Sequence, residues 1–230
     1  RQVLGAAITS VDWSNEAFPF MGVHSGTLSL GSTKIPFRAA RISFSGERAW
    51  EIYVPADFGT AVWAHLAEYV AAAGGCIYGV EALGTLRIEK GHVTGAELDG
   101  RVTLEDAGFA RMASKTKPYI GSVLRLRPGL MDKNRPRLVG IFPKDRNQRF
   151  GTGAILCAPD NISGFGEGWV TATTHSPALG HWIGLGFVSG GEAEWRSKAI
   201  MIADPVRGAT IEGEIVSPHM FDPEGSRQNG

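Results

Sequence analysis

The chain has 230 residues, with 23 Lys+Arg against 23 Asp+Glu, so its formal net charge at pH 7 is zero. That balance excludes recruitment of nucleic acid or an anionic membrane by a global field, and the length allows one large or two small domains with a real core. No apolar run approaches a membrane span, and the opening residues do not read as a signal peptide. Cys76 and Cys157 lie far apart and suit a reduced cytoplasm. The six histidines show no His-x-x-x-His spacing and there is no Cys-x-x-Cys, so no metal site is expected.

Residues 1–8 read as the tail of a helix with no capping residue, and the expectation is that residues of the same folding unit lie upstream. A turn-rich connector follows over 13–22, where Pro19 stops any helix. Residues 24–31 and 35–44 alternate as strands around a turn at Gly31-Ser32-Thr33-Lys34. Within 41–55 the pattern predicts two short strands joined at Ser45-Gly46-Glu47, the second over Glu51–Val54. Asp57 is the expected cap of a helix in which Phe58, Val62, Leu66 and Val70 recur every four residues, ended by Gly74-Gly75. A second helix is predicted over Val80–Lys90, with Gly91 at its end. This half is an α+β layer with helices on one side of a sheet.

From about Arg137 the texture changes to short apolar or β-branched runs: Leu138–Phe142, Ala154–Ala158, Trp169–Thr174, Trp182–Val188, Lys198–Ile202 and Ala209–Val216. Glycines and prolines separate them at the intervals of an all-β barrel or sandwich, and a small β-barrel is the reading taken. The boundary falls within 122–137, and the Arg125–Arg137 stretch reads as a solvated connector. Gly164-Phe-Gly-Glu-Gly168 is no dinucleotide loop, because it precedes a β run instead of opening a helix; it reads as a hairpin turn. No Gly-x-Ser-x-Gly context supports a hydrolase.

Glu51 is the one carboxylate amid the apolar residues of its strand. On a half-buried strand a carboxylate is costly unless donors meet it. A flat heterocycle with adjacent ring N–H and amino donors, such as a pterin, would meet it in a bidentate pair; the plain alternative is a hairpin whose Glu51 faces solvent. Arg87 and Glu89 stand near the end of the second predicted helix, where the plain alternative is a surface pair beside a C-cap.

Several segments resemble the aminomethyltransferase (glycine-cleavage T-protein) folate-binding superfamily. Phe44-Ser45-Gly46-Glu47 and Glu51 resemble its Gly-Tyr-Thr-Gly-Glu-x-Gly-Phe-Glu segment, with Phe44 in the Tyr place. Leu86-Arg87-Ile88-Glu89-Lys90-Gly91 is similar to the end of Arg-Asp-x-Leu-Arg-x-Glu-x-Gly, but Leu83 stands where the first arginine belongs. Lys90–Glu97 is similar to the Lys-Gly-Cys-x-x-Gly-Gln-Glu signature of the iron–sulfur maintenance branch. There His92 replaces the thiol and Ala96 the glutamine, which argues against that branch; His92 reads as a structural polar residue. The run Glu89–Gly100, with Phe221-Asp-Pro-Glu-Gly225, resembles the α-subunit family of heterotetrameric sarcosine oxidases. Met112–Gly121 and Ser176-Pro-Ala-Leu-Gly-His also follow superfamily patterns, so the resemblance spans nearly the whole chain.

The resemblance implies a folate-binding portion over 1–121, a connector over 122–136 and a C-terminal β-barrel domain over 137–230. It implies tetrahydrofolate as cofactor, with Glu51 anchoring the pterin and Phe44 placed to stack on its ring system. The implied activity is oxidative demethylation of sarcosine or a related N-methyl amine, the one-carbon unit being trapped as 5,10-methylenetetrahydrofolate. FMN, FAD and NAD belong to the full complex but to no motif of this chain, and a flavin-binding subunit and further subunits are the expected partners. The family's catalytic aspartate is expected upstream, so no catalytic residue is assigned here. The rival readings are a divergent aminomethyltransferase of the glycine cleavage system, against which Leu83 argues, and a non-catalytic folate-binding module of an oxidase complex.

Overall fold

A computed structural model describes residues 1–162 and 165–229. The chain divides into two compact units, Arg1–Gly84 with Glu224–Gly230, and Thr85–Pro223. The expected turn at Gly164–Gly168 begins outside the described residues.

In the first unit, β1 (Val23–Leu30), β2 (Thr33–Ala40) and β3 (Glu51–Tyr53) form an antiparallel sheet in that order. Alternation along β2 buries Ile35, Phe37 and Ala39 on one face. They pack with Leu28, Phe18, Trp13 and Ile8, with Ala7 of α1 (Gln2–Ala7), and with Val62 of α2 (Gly59–Ala72). Each such side chain contributes about 1.5–3 kcal/mol on burial. His65 Nε2 on α2 lies 3.0 Å from the Ala7 carbonyl oxygen and ties the two helices together. Both helices therefore cover the same face of the sheet, as the α+β reading requires. The other face is open: Val23 and Tyr53 are 59% and 50% exposed.

Two local expectations are corrected. The strand expected over 35–44 ends at Ala40, because the Arg41 side chain is buried and turns the chain away from the ladder. Its guanidinium donates to the carbonyls of Phe18 (2.7 Å) and Asn229 (2.9 Å) and lies over the Trp50 ring. A loop over 41–50 therefore replaces the tight hairpin. Asp57 does not cap α2; it sits inside a short 3₁₀ turn, Ala56–Phe58, and Phe58 takes the N-cap position without a side-chain bond.

In the second unit six strands close into a barrel. They are β4 (Pro136–Pro143), β5 (Ile155–Cys157), β6 (Gly168–Ser176), β7 (His181–Ser189), β8 (Ile200–Asp204) and β9 (Ala209–Val216), in the order β4-β7-β6-β5-β8-β9. Closure leaves no free sheet edge. Val139, Ile141, Leu156, Val170, Val188, Ile200, Ile202 and Ile215 fill the interior. Gly168 permits one close approach: a Cβ there would lie 1.9 Å from the Phe187 carbonyl oxygen.

The Arg125–Arg137 stretch is more than a solvated connector. Arg125 pairs with Glu105 and donates to the Tyr119 hydroxyl. Arg135 forks onto Asp106, with Nε 3.1–3.2 Å from both carboxylate oxygens, and also donates to the Arg101 carbonyl (2.6 Å). Burial pushes Asp106 up, but the bonds from Arg135 and Thr103 outweigh it and hold the carboxyl below its ordinary value. A depressed carboxyl stabilises the fold above its unfolded pKa, and that stability is lost as pH falls through the folded value. Urea unfolding between pH 7 and pH 2 should therefore show wild type losing more stability than Asp106→Asn below about pH 4. Equal acid sensitivity would remove Asp106 from the account. In the first unit, Arg41→Ala should lower stability by about 3 kcal/mol by stranding the buried Phe18 carbonyl and the part-buried Asn229 carbonyl. Arg41→Lys should restore only part of this, since an ammonium lacks the fork.

Candidate functional site

Two places gather the residues singled out by the sequence. The first is the end of α3 (Val80–Lys90), whose last residues belong to the second unit. Arg87, Glu89 and Lys90 are all buried there, so the surface-pair reading fails. Arg87 Nη1 donates to Glu97 Oε2 and to the His92 carbonyl, both at 3.1 Å. Glu97 Oε2 also accepts the Thr94 N–H (2.7 Å) and hydroxyl (3.0 Å). Glu89 Oε1 accepts the Ser176 hydroxyl and the Ala178 N–H (3.1 Å). Lys90 Nζ donates to the Asp222 carbonyl (2.5 Å) and approaches its carboxylate (3.3 Å).

Gly91 makes this convergence possible. Its φ is +77°, and a Cβ there would stand 2.3 Å from the Pro218 carbonyl oxygen. Arg87, Glu89 and Lys90 are thus each engaged by a protein partner, and the cluster acts as a lock joining α3, the Ser176-Pro-Ala-Leu turn and the Phe221-Asp-Pro segment.

The second place is the open face of the first unit's sheet. Ala40 pairs with Glu51 and Arg38 with Tyr53, while Ser25 pairs with Arg38. Period two therefore sets Ser25, Arg38, Glu51 and Tyr53 on one face. Glu51 is exposed, so the half-buried setting expected for it is not found and it faces solvent as in the plain alternative; its carboxylate accepts the Tyr53 hydroxyl. That bond, with the neighbouring negative charge, pushes the Tyr53 phenol above its ordinary value. Arg38 is exposed, and its side chain makes no hydrogen bond or ion pair among the described residues. A hollow of about 510 Å³ is lined by Ser25, Pro36, Arg38, Tyr53 and Val54, among others. Phe44 stands on the 41–50 loop, outside the three strands, and is 39% exposed. Arg38 and Tyr53 went unnoticed in the sequence, although the strand alternation assigned them to this face once the register was known.

This face offers a carboxylate, a phenol and a guanidinium within two residue pairs. It suits a flat polar edge carrying both donors and an acceptor. Among the described residues no group of three or more His, Cys, Asp or Glu is arranged to hold a metal, and no helix is long and apolar enough to cross a membrane. Cys157 is buried, and burial, with Glu167 adding to it, pushes its thiol up.

Residues 1–117 match the GCVT N-terminal domain, and residues 137–222 match the glycine cleavage T-protein C-terminal barrel domain. The chain belongs to the glycine cleavage T-protein family. Within that family it is similar to the sarcosine oxidase subunit alpha of Corynebacterium sp. (strain U-96). The two are 38% identical over all of this chain and 24% of the relative. The sarcosine oxidase subunit alpha of Rhizobium meliloti (strain 1021) is 36% identical over 96% of this chain and 22% of that protein. The aminomethyltransferase of Streptomyces avermitilis is 31% identical over 80% of this chain and 49% of that one. This T-protein-family chain thus spans about a quarter of the length of those alpha subunits. Its fold is shared with the crystal structure of aminomethyltransferase T of the glycine cleavage system from Bartonella henselae. The TM-score is 0.75 at 20% identity, covering 96% of this chain and 57% of the other.

The α3 lock predicts a separation of effects. Glu89→Ala should cost about 2–4 kcal/mol in urea unfolding, because it strands the buried Ser176 hydroxyl and the part-buried Ala178 N–H. Arg101→Ala should change stability by less than about 1 kcal/mol, its pair with Asp99 being exposed.

Proposed function

We propose that this chain is the tetrahydrofolate-binding part of a sarcosine oxidase α-type protein acting in the cytoplasm. The observation that carries the reading is Glu51. Its carboxylate stands exposed on an open sheet face, held by one neutral hydroxyl and by no cation among the described residues. A carboxylate left this way retains acceptor capacity for a pair of donors. The ring N–H and amino group of a pterin supply such a pair, so the residues present fit the group. Family membership and the similarity to sarcosine oxidase alpha subunits support the same reading.

Tetrahydrofolate, when bound, supplies the nitrogens that capture the one-carbon unit released from sarcosine or a related N-methyl amine, as 5,10-methylenetetrahydrofolate. The chain's own share is positioning. Glu51 fixes the pterin edge, and Phe44 stacks on the ring system without the hydroxyl of a tyrosine. Residues 1–121 form the folate-binding portion, 122–136 the connector and 137–230 the barrel domain. FMN, FAD and NAD act in the other parts of the complex, and the flavin-binding subunit is the principal partner.

A charge-assisted bond to Glu51 is worth roughly 1.5–3 kcal/mol. Calorimetric titration with tetrahydrofolate should therefore show Glu51→Gln binding at least tenfold more weakly than wild type. Phe44→Ala should lose affinity as well, through stacking alone. Equal affinity of Glu51→Gln and wild type would sink the assignment of Glu51.

A further inference from the structure

We propose that residues 119–131 of the second unit form the docking surface for another subunit, one that presents an aliphatic face rimmed by carboxylates. The proposal rests on the subunit partnership of the reading above and not on its folate site, and it locates where that partnership is made.

This stretch is folded inside out. Tight turns wind it along its length: the Ser122 N–H donates to the Tyr119 carbonyl, Arg125 to Gly121, Leu126 to Val123 and Met131 to Arg127. Residues close in sequence are therefore held close in space. In the 3₁₀ turn Leu124–Leu126 successive side chains point in different directions. The middle one, Arg125, turns to Glu105 and the Tyr119 hydroxyl. Meanwhile Val123 is 79% and Leu126 62% exposed, with Ile120, Leu124 and Met131 exposed as well. A connector adapted to water does the reverse, covering its leucines and leaving the arginine outside. Large apolar side chains gathered on a surface mark an interaction site, whereas scattered single ones do not.

Charge indicates the occupant. Residues 111–133 carry six Lys+Arg against Asp132 alone, although the chain as a whole is neutral. Arg125 is met by Glu105. Arg111, Lys115, Lys117, Arg127 and Lys133 are exposed, and their side chains make no ion pair among the described residues. An apolar centre among cations is complemented by an apolar centre among carboxylates. A second copy docked through the same patch would set these cations against their own kind, because a two-fold interface faces itself. The exposed apolar residues carry no aromatic ring on which a nucleic-acid base could stack. A bilayer surface takes an amphipathic helix, and the helical pieces here are three residues long. An acidic face on a different protein subunit is the match.

The test uses the protein isolated from its own cells at low salt, beside the 230-residue chain alone. Both are exposed to dilute hydrogen peroxide, and mass spectrometry follows sulfoxide formation at Met131. In the native assembly Met131 should oxidise at least fivefold more slowly than in the chain alone. Two double variants are then isolated the same way, Val123→Asp with Leu126→Asp and Lys117→Glu with Arg127→Glu. Each should lose the partner subunit in gel filtration and regain fast oxidation of Met131. All four side chains are exposed, so far-UV circular dichroism of the variants should match wild type. The proposal is overturned if the protein is isolated without a partner, as a dimer of this chain alone, or with Met131 oxidising equally fast in both samples. Protection that survives both double variants overturns it too, placing the cover elsewhere. Tetrahydrofolate titration of the same variants separates the two readings: unchanged affinity beside a lost partner supports this surface as distinct from the folate site. Affinity lost together with the partner would overturn that distinction.

Discussion

Three charged side chains at the end of α3 are buried, and the second unit is organised around meeting them. Burying a carboxylate, an ammonium or a guanidinium is expensive unless each gains a partner. Arg87 finds Glu97, Glu89 finds Ser176 and the Ala178 N–H, and Lys90 finds Asp222. These partners lie up to about 130 positions away in sequence. A helix end, a turn on the barrel and a segment after its last strand are thereby fixed to one another. Removing one partner leaves the other charge uncompensated, which makes the lock cooperative.

That lock changes the meaning of the sequence motifs. Leu86–Gly91 and Ser176–His181 stand out as family patterns, and their polar residues invite a catalytic or binding role. In the structure Arg87, Glu89 and Ser176 bond to one another's segments and to the backbone. Their chemistry is structural. The open surface of the first unit is the plain one, a three-stranded sheet whose inner face is packed by α1 and α2 and whose outer face carries exposed side chains. Glu51, Tyr53 and Arg38 owe their placement there to strand alternation alone.

The two units solve the problem of a sheet's faces and edges differently. The barrel removes its edges by closure and fills its interior with branched apolar residues. The small sheet of the first unit hides one face under helices and leaves the other open.

Much of this was legible in the sequence. Period-two alternation announced Ile35, Phe37 and Ala39, the four-residue repeat announced α2, and glycine at 91 marked the end of α3. The six apolar runs after Arg137 became the six barrel strands, because residues that alternate or cluster locally need only their neighbours to declare themselves. Glu51 was visible as an isolated carboxylate in an apolar strand. What the tertiary structure decided depends on partners distant in the chain. Arg41 ends β2 because its guanidinium reaches Phe18 and Asn229. Arg87 and Glu89 are buried because Glu97 and Ser176 come to meet them. Arg38 faces Glu51 only because the register pairs it with Tyr53. Local propensity is written in adjacent residues, whereas charge compensation and register are set by which segments meet, and folding alone brings those together.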